Sequence, residues 1–340
     1  MILLNVLLSS GCLKEPEKKL TPAEVDSSIN RGFSYLNTVF DENYGYDDMY
    51  LQFVYPGEDL QCPHDDCNLT YRIMDGYFNL IFIQNEFDDY SIIQEQAEYG
   101  DNVLTSVLPL WQEGYIYNVI KNTSEEGKEG YALDTLCILG YLYDDKILAE
   151  KAKDSLKDGR WLDLNHYVGI DSWRTLADES WCVRHIIRTG IDDELALQLA
   201  QDKIQETYDF IDGDYPEISK IVTVVHMLYI FVDLDEGDFE TDSMDKDLAY
   251  FQQYIKKNLD NENLWENTLL LANVLDVLAK TEYDDEPTVS KIASEIFRRQ
   301  ESNGKWYQQH SGAKADYLQT FTTFRSVIGL NSYRRYMGWN

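Results

Sequence analysis

Residues 169–190 read GIDSWRTLADESWCVRHIIRTG, the densest run of chemically capable side chains in the chain. Asp171, Arg174, Asp178, Glu179, Cys182 and His185 fall within about four helical turns. Asp178, Cys182 and His185 recur at i, i+4 and i+7 and so share one helical face. Carboxylate, thiolate and imidazole are all metal donors. One face supplies three ligands and nothing fixes a fourth. The stretch is therefore read as a hydrogen-bonded polar seam beside a core thiol, with no metal assigned. Asp178 is kept as a candidate catalytic carboxylate, and Trp173, Arg174 and Glu179 as candidate binding residues.

Asp75 lies in TYRIMDGYFNL, an otherwise apolar run. A carboxylate there is either paired or has a raised pKa. Arg72 is one turn away, so a structural Asp75–Arg72 pair is one reading. The other is a general acid suited to glycoside cleavage or elimination, with Asp134 as its partner at a comparable place in the next apolar run. His166, in Leu-Asn-His-Tyr, is the best-exposed loop base, although a lone loop histidine is more often idle. The run Cys62-Pro-His-Asp-Asp-Cys67 holds cation donors, but a Cys62–Cys67 disulfide closing a loop of solvated acids is the simpler account. No nucleophile elbow, phosphate-binding glycine loop or HExxH motif occurs, and no cofactor is assigned.

The elements that must carry these groups follow from composition and periodicity. The chain has 340 residues, of which 44% are apolar, enough for a sizeable core. Its 61 acidic and 29 basic residues give a formal charge of −32. Such a field repels phosphate backbones and excludes nucleic acid as a partner class; solubility or a salty exterior is its ordinary explanation. The 25 Tyr and 7 Trp can serve a core, or platforms for sugars and apolar ligands.

The N-terminus, MILLNVLLSSGCLKEPEKKLTP, places small residues before Cys12 and a charged tether after it. That is the pattern of a lipoprotein signal over 1–11, lipid attachment at Cys12 and a tether over 12–21. The apolar segment is short and no basic region precedes it, so a hydrophobic N-terminus on a cytoplasmic protein is the alternative. Membrane contact is expected through the anchor only. Cys137 and Cys182 sit in apolar helical runs, where they pair or stay buried thiols. Asn68 and Asn122 begin glycosylation sequons that matter only on export.

Apolar residues at i, i+3, i+4 and i+7 predict twelve helices: 22–40, 70–84, 90–113, 130–143, 146–157, 173–189, 192–211, 217–232, 241–258, 264–280, 287–301 and 316–333. Amphipathic helices alternate with helices apolar nearly all round, such as LDTLCILGYLY and ISKIVTVVHMLYIF. The buried helices recur about every 40–60 residues. This predicts an all-α domain over 22–340, an (α/α)6 toroid with six buried helices inside six amphipathic ones. An open solenoid is the alternative, but it would need polar capping repeats, and none is read. In a toroid the N-terminal ends of the inner helices line one mouth. That places Tyr71, Arg72, Asp75, Tyr131, Asp134, Trp173, Arg174, Asp178, Glu179, Glu217, Lys220, Glu266, Asn267, Asp316, Tyr317 and Gln319 there.

The segment VSKIASEIFRRQESNGKW, 289–306, resembles the repeat of triterpene cyclases and protein prenyltransferase β subunits. Ile296-Phe297 stand for its apolar pair in reversed order, and Gln300, Gly304 and Trp306 match its Gln, Gly and Trp. The resemblance implies a structural role, with Gln300 capping the next helix and stacking on Trp306. Gly159-Arg160-Trp161 repeats the second half of the motif, with weaker echoes at Asn263-Leu-Trp265 and Gly45-Tyr46. The tail from Ala315 to Leu330 is similar to the last inner helix of the prenyltransferase β subunits. Their zinc-binding His has no match here, where Leu318 and Gln319 stand, and their Asp-x-Cys pair is missing. The acidic proton-donor string of squalene cyclases is missing too. Asp233-Leu-Asp235-Glu236 is nearest, but is expected past the end of a buried helix, at the other mouth. The resemblance thus implies the toroid without either family's chemistry.

The expectation is a surface-anchored toroid that binds or processes a glycan or other polar polymer in an aromatic and acidic cavity. An isoprenoid-handling protein and a non-catalytic interaction scaffold are the rivals.

Overall fold

Thr21-Pro22-Ala23-Glu24 starts the first helix of the computed structural model, which describes residues 19–41, 45–46, 74–114, 128–157, 172–237, 239, 244–310, 313–315 and 319–339. The Thr21 hydroxyl accepts from the Glu24 amide (3.3 Å), and the Glu24 carboxylate accepts from the Thr21 amide (2.9 Å). Pro22, at the first helical position, has no N–H to leave unpaired.

The described chain is predominantly helical. Its first half comprises α1 (Pro22–Val39), α2 (Met74–Glu86), α3 (Gln94–Gln112), α4 (Lys128–Tyr143), α5 (Lys146–Lys157) and α6 (Ser172–Thr189), with a 3-10 turn at Ser91–Ile93 leading into α3. Then come α7 (Asp193–Asp212), α8 (Glu217–Glu236), α9 (Met244–Lys257), α10 (Glu262–Glu266), α11 (Thr268–Lys280), α12 (Glu286–Arg299) and α13 (Gln319–Tyr336). Two small antiparallel ribbons add to the expected helices: β1 (Phe40–Asp41) pairs with β2 (Gly45–Tyr46), and β3 (Gln308–His310) with β4 (Ala313–Ala315).

The predicted helices recur with shifted ends and two informative changes. The helix expected over 264–280 breaks at Asn267, whose side chain accepts from the Leu270 amide (2.8 Å) and caps α11. The helix expected to stop at 232 runs on to Glu236, so Asp233 lies within α8 and is buried. Burial follows the predicted division. Helices α8 and α11 hide nearly their whole surface, with Val224, Leu228, Leu271, Val274 and Leu278 at 0% exposure. Helix α13 is hidden too, although it is rich in hydroxyl residues: Thr322, Thr323 and Ser326 are fully buried. Its neighbours, more than its own apolarity, decide its place.

Those neighbours are specific. Helix α2 packs against α4, α4 against α6, α6 against α8, α8 against α11, α11 against α13, and α13 against α2. The other long helices lie against this set: α1 on α13, α3 on α2, α5 on α4 and α6, α7 on α6 and α8, α9 on α8, and α12 on α11 and α13. The α4–α6 contact carries a covalent tie. Cys137 and Cys182 form a disulfide across it, with Cα atoms 4.9 Å apart. Beside it Gly140 faces the His185 ring, where an added Cβ would fall 1.9 Å from the imidazole.

The Gln300, Gly304 and Trp306 motif is structural, as expected, but its partners differ from the expected ones. Gln300 ends α12, and its amide turns to α1. Oε1 accepts from Ser28 Oγ (2.7 Å) and Arg31 Nε (3.1 Å); Nε2 donates to the carbonyls of Ser28 (2.8 Å) and Gly304 (2.9 Å). Trp306 is fully buried; its indole N–H donates to the Ile296 carbonyl (2.7 Å). The motif thereby ties the last amphipathic helix to the first. Gly304 is needed there twice over. Its φ is +95°, and a Cβ would stand 2.0 Å from the Arg31 carbonyl oxygen.

Replacing Gly304 by Ala should lower unfolding free energy by about 3 kcal/mol or more, because backbone strain and a backbone clash act together. Ser302→Ala, two residues away on the exposed turn, should stay within about 0.5 kcal/mol. Urea unfolding of the two variants checks this; equal effects would refute the close approach.

Candidate functional site

Several of the expected site residues lie outside the described residues: Tyr71, Arg72, His166, Asp316 and Tyr317, together with Cys12, Cys62 and Cys67. Others have described helix positions but no described side chains. Asp75 is on α2, Tyr131 and Asp134 are on α4, and Trp173, Arg174, Asp178 and Glu179 are on α6. Asp75 stands two turns before Phe82, and Asp134 two turns before Tyr141.

The metal-capable face on α6 is occupied by structure. Cys182 is bonded to Cys137, and His185 places Nε2 3.0 Å from the Asp145 carbonyl oxygen. Burial lowers the His185 pKa to about 4, against the opposing pull of that carbonyl. Of that face, the Cys182 thiol is tied up in a disulfide and His185 is bonded to backbone, while the Asp178 side chain is not among the described ones.

The next turn of α6 carries groups that the spacing does not single out. Arg184 has its guanidinium over the rings of Trp181 (4.3 Å), Tyr141 (4.7 Å) and Tyr229 (4.8 Å). Its ion pair is with Asp233, and the two side chains are only 6% and 2% exposed. The Tyr141 hydroxyl donates to the other Asp233 oxygen (2.7 Å). Burial pulls the Arg184 pKa down, but Asp233 more than offsets it, so the guanidinium stays charged. Burial pushes the Tyr141 phenol up to about 12, helped by Asp233. One carboxylate from α8 thus holds a cation from α6 and a phenol from α4.

A second network continues from Tyr229. Its hydroxyl donates to Asp276 (2.6 Å), which also accepts from Ser332 (2.6 Å) and pairs with Lys280 (3.3 Å). Lys280 reaches Glu86 (2.6 Å). Burial alone would raise the Asp276 pKa; Lys280, Ser332 and Tyr229 hold it below the usual range. Glu86 moves the other way, raised by burial despite Lys280. These bonds join α8, α11, α13 and α2.

Above these networks, toward the helix N-terminal ends, the packing opens. On α8, Val222 and His226 keep accessible surface between fully buried turns; Phe321 and Arg325 do so on α13, and Leu269 and Asn273 on α11. Each pair is spaced i, i+4, so one stripe per helix is half-open. Phe82 and Trp181 are half-buried as well, their rings 5.6 Å apart. Arg325 lies 5.6 Å from the ring centres of both Phe82 and Phe321. His226 Nδ1 is 3.1 Å from Ser180 Oγ. Burial, then the charges of Arg184 and Arg325, lower its pKa to about 3. So depressed a pKa leaves the imidazole neutral, and it meets Ser180 as a hydrogen-bonding group. The arrangement offers aromatic faces, a cationic head and neutral hydrogen-bonding groups on one half-open surface.

Asp233 and Asp276 could have been found in the sequence. Each is a carboxylate in an apolar helix, the criterion that picks out Asp75. Their partners could not, because Arg184 and Asp233 are 49 residues apart and meet only after folding. No protein-family model matches the chain, and no curated protein or solved structure is detectably similar to it.

Removing the Asp233 charge strands Arg184 in the core. Asp233→Asn should cost about 3–5 kcal/mol, toward the lower end because three rings still face the guanidinium. The double variant Arg184→Met/Asp233→Leu should lose less than Asp233→Asn alone. Chemical denaturation of the variants measures both; additive losses would show that the pair is not coupled.

The two buried imidazoles predict a pH dependence. Their folded pKa values, about 4 for His185 and about 3 for His226, lie below the ordinary value of 6.5. The unfolded chain therefore binds protons below pH 6.5 that the folded chain refuses. Their stabilisation is full above about pH 6.5 and is lost as pH falls through the window down to about 4 and 3. Between pH 7 and pH 5 each contributes a loss of about 2 kcal/mol. His226→Asn, which can keep a bond to Ser180, should remove its share from the urea-unfolding profile. A wild-type pH slope retained in that variant would contradict a neutral His226.

Proposed function

We propose that the chain is an (α/α)6 toroid, held at the cell surface by a lipid on Cys12, that binds or processes a glycan or other polar polymer in its central cavity. The neighbour order of α2, α4, α6, α8, α11 and α13, which returns from α13 to α2, supports the toroid. So does the position of the amphipathic helices against that set. The Cys137–Cys182 disulfide supports an oxidising exterior.

One observation carries the ligand class: the half-open stripes bring Phe82, Trp181 and Phe321 together with Arg325 and His226. Sugars present apolar ring faces that stack on aromatic side chains and hydroxyls that need hydrogen bonds. An isoprenoid would leave the buried polar groups unpaired at a cost. The mixed lining therefore favours the polar ligand. The helix positions of Asp75 and Asp134, two turns N-terminal to Phe82 and Tyr141, suit a pair of carboxylates over the aromatic floor, since those two rings are 6.3 Å apart. In this reading Asp75 is the general acid, Asp134 its partner and Asp178 a further acidic group on the next helix. Tyr71, Arg72, Tyr131, His166, Trp173, Arg174, Glu179, Asp316 and Tyr317 belong to the mouth.

A thermal-shift panel of oligosaccharides and isoprenoid alcohols on the full chain tests the reading. A saccharide should raise Tm by several degrees, and Asp75→Asn should change that shift or abolish turnover of the same saccharide. An isoprenoid hit would transfer the cavity to the rival ligand. Silence across the panel would leave the interaction scaffold as the function.

A further inference from the structure

We infer that Arg325 is an anion-binding residue, and that the saccharide taken by this protein carries a carboxylate, as uronic and sialic acid units do. This rests on the glycan reading above and narrows its ligand class.

Hydrogen bonding carries the inference more than charge. Within the two networks and beside them, three carboxylates, Asp233, Asp276 and Glu86, stand near three cations, Arg184, Lys280 and Arg325. The hydrogen bonds do not match. Asp233 holds Arg184 and Tyr141; Asp276 holds Tyr229, Ser332 and Lys280; Glu86 holds Lys280. Arg325 has neither a hydrogen bond nor an ion pair among the described residues, and its Nε is fully enclosed without an acceptor. Its charge is nevertheless felt at His226, Tyr229 and Asp276, so the guanidinium stands close to the networks without being bonded into them.

A guanidinium brings five N–H donors in a planar fork, and leaving them unpaired in a half-buried place is costly. This chain has 61 acidic residues against 29 basic ones, so carboxylates were abundantly available to pair it. Other enclosed arginines do have such partners: Arg184 has Asp233, and Arg299 has Glu295. Arg325 instead lies 5.6 Å from the centres of both the Phe82 and Phe321 rings, on a stripe that keeps accessible surface. Ring faces do not take up the N–H donors of a guanidinium, so the fork keeps its capacity for a carboxylate. Trp181, next to Phe82, extends the platform by one ring. A carboxylate one sugar unit from an aromatic face is what an acidic saccharide presents. The surface charge of −32 does not forbid this, since charges more than about 8 Å away are largely screened at physiological salt.

Calorimetry on the full chain tests the inference with trigalacturonate, its methyl ester and sodium acetate as probes. Trigalacturonate should bind about 10–100-fold tighter than the ester, which keeps the ring and removes the charge. Acetate should bind far more weakly than either. Arg325→Gln should abolish the preference for acid over ester, and Arg325→Lys should keep part of it. Equal binding of acid and ester by the wild type overturns the role of Arg325 and leaves the glycan reading standing. Binding of neutral saccharides alone overturns it in the same way. If no saccharide binds at all, both fall. Acetate binding as tightly as trigalacturonate overturns the saccharide half of the inference. Should Arg325→Gln fail to fold, the acid-to-ester ratio of the wild type still decides.

Discussion

A guanidinium deep in a helical interior fixes most of what surrounds it. Arg184 stays charged there, and its counter-charge, Asp233, comes from a different helix. The pair therefore sets how α6 and α8 are rotated against each other. Tyr141 completes the carboxylate and brings α4 into register, while Tyr229 lies under the same guanidinium and hands its own hydroxyl to Asp276. From Asp276 the constraint passes to Ser332 on α13 and, through Lys280, to Glu86 on α2. Six helices thus share one connected set of polar contacts. Apolar packing tolerates small rotations of a helix about its axis; a buried ion pair does not, because a slip leaves a charge unpaired. The network contributes less to total stability than to the choice of one arrangement.

The covalent and motif ties act at other places. The disulfide between α4 and α6 lies beside the Gly140–His185 contact, where the two helices approach without room for a side chain. The Gln300 amide crosses 272 residues of sequence to reach Ser28, and Gly304 fits against the Arg31 carbonyl. Helices α12 and α1 are joined by the neutral Gln300 amide, which bonds Ser28, Arg31 and the Gly304 carbonyl, and by the close approach of Gly304. That separation lets the interior polar groups be arranged for rotation and the motif for closure.

Helix existence was legible because periodicity is local. The alternation of amphipathic and buried helices was legible for the same reason, and even the break at Asn267 has a local cause, since Asn is a strong N-cap. Helix α13 was read from the same periodicity, although its buried Thr and Ser carry no apolar signal. The polar interior was half legible. A lone carboxylate in LANVLDVLAK marks Asp276 as a group that must find partners. Nothing local names Ser332, 56 residues away, or Tyr229, 47 residues away, as those partners. The cysteines show the same limit: both lie in apolar helices, and whether they meet depends on the packing of α4 on α6.

The interior divides into a closed half and an open one, and the division has a physical logic. Helix C-terminal ends carry partial negative charge and N-terminal ends partial positive charge. The carboxylates Asp233, Asp276 and Glu86 lie toward the C-terminal ends of α8, α11 and α2, where the helix field is unfavourable to them. They persist there because Arg184 and Lys280 are bonded to them. Toward the N-terminal ends the helix field favours an anion, the aromatic faces are half-open, and Arg325 has no hydrogen-bond acceptor among the described residues. Under the inference above, a carboxylate entering from that side would meet the helix field and the Arg325 fork, above a floor held by its own hydrogen bonds.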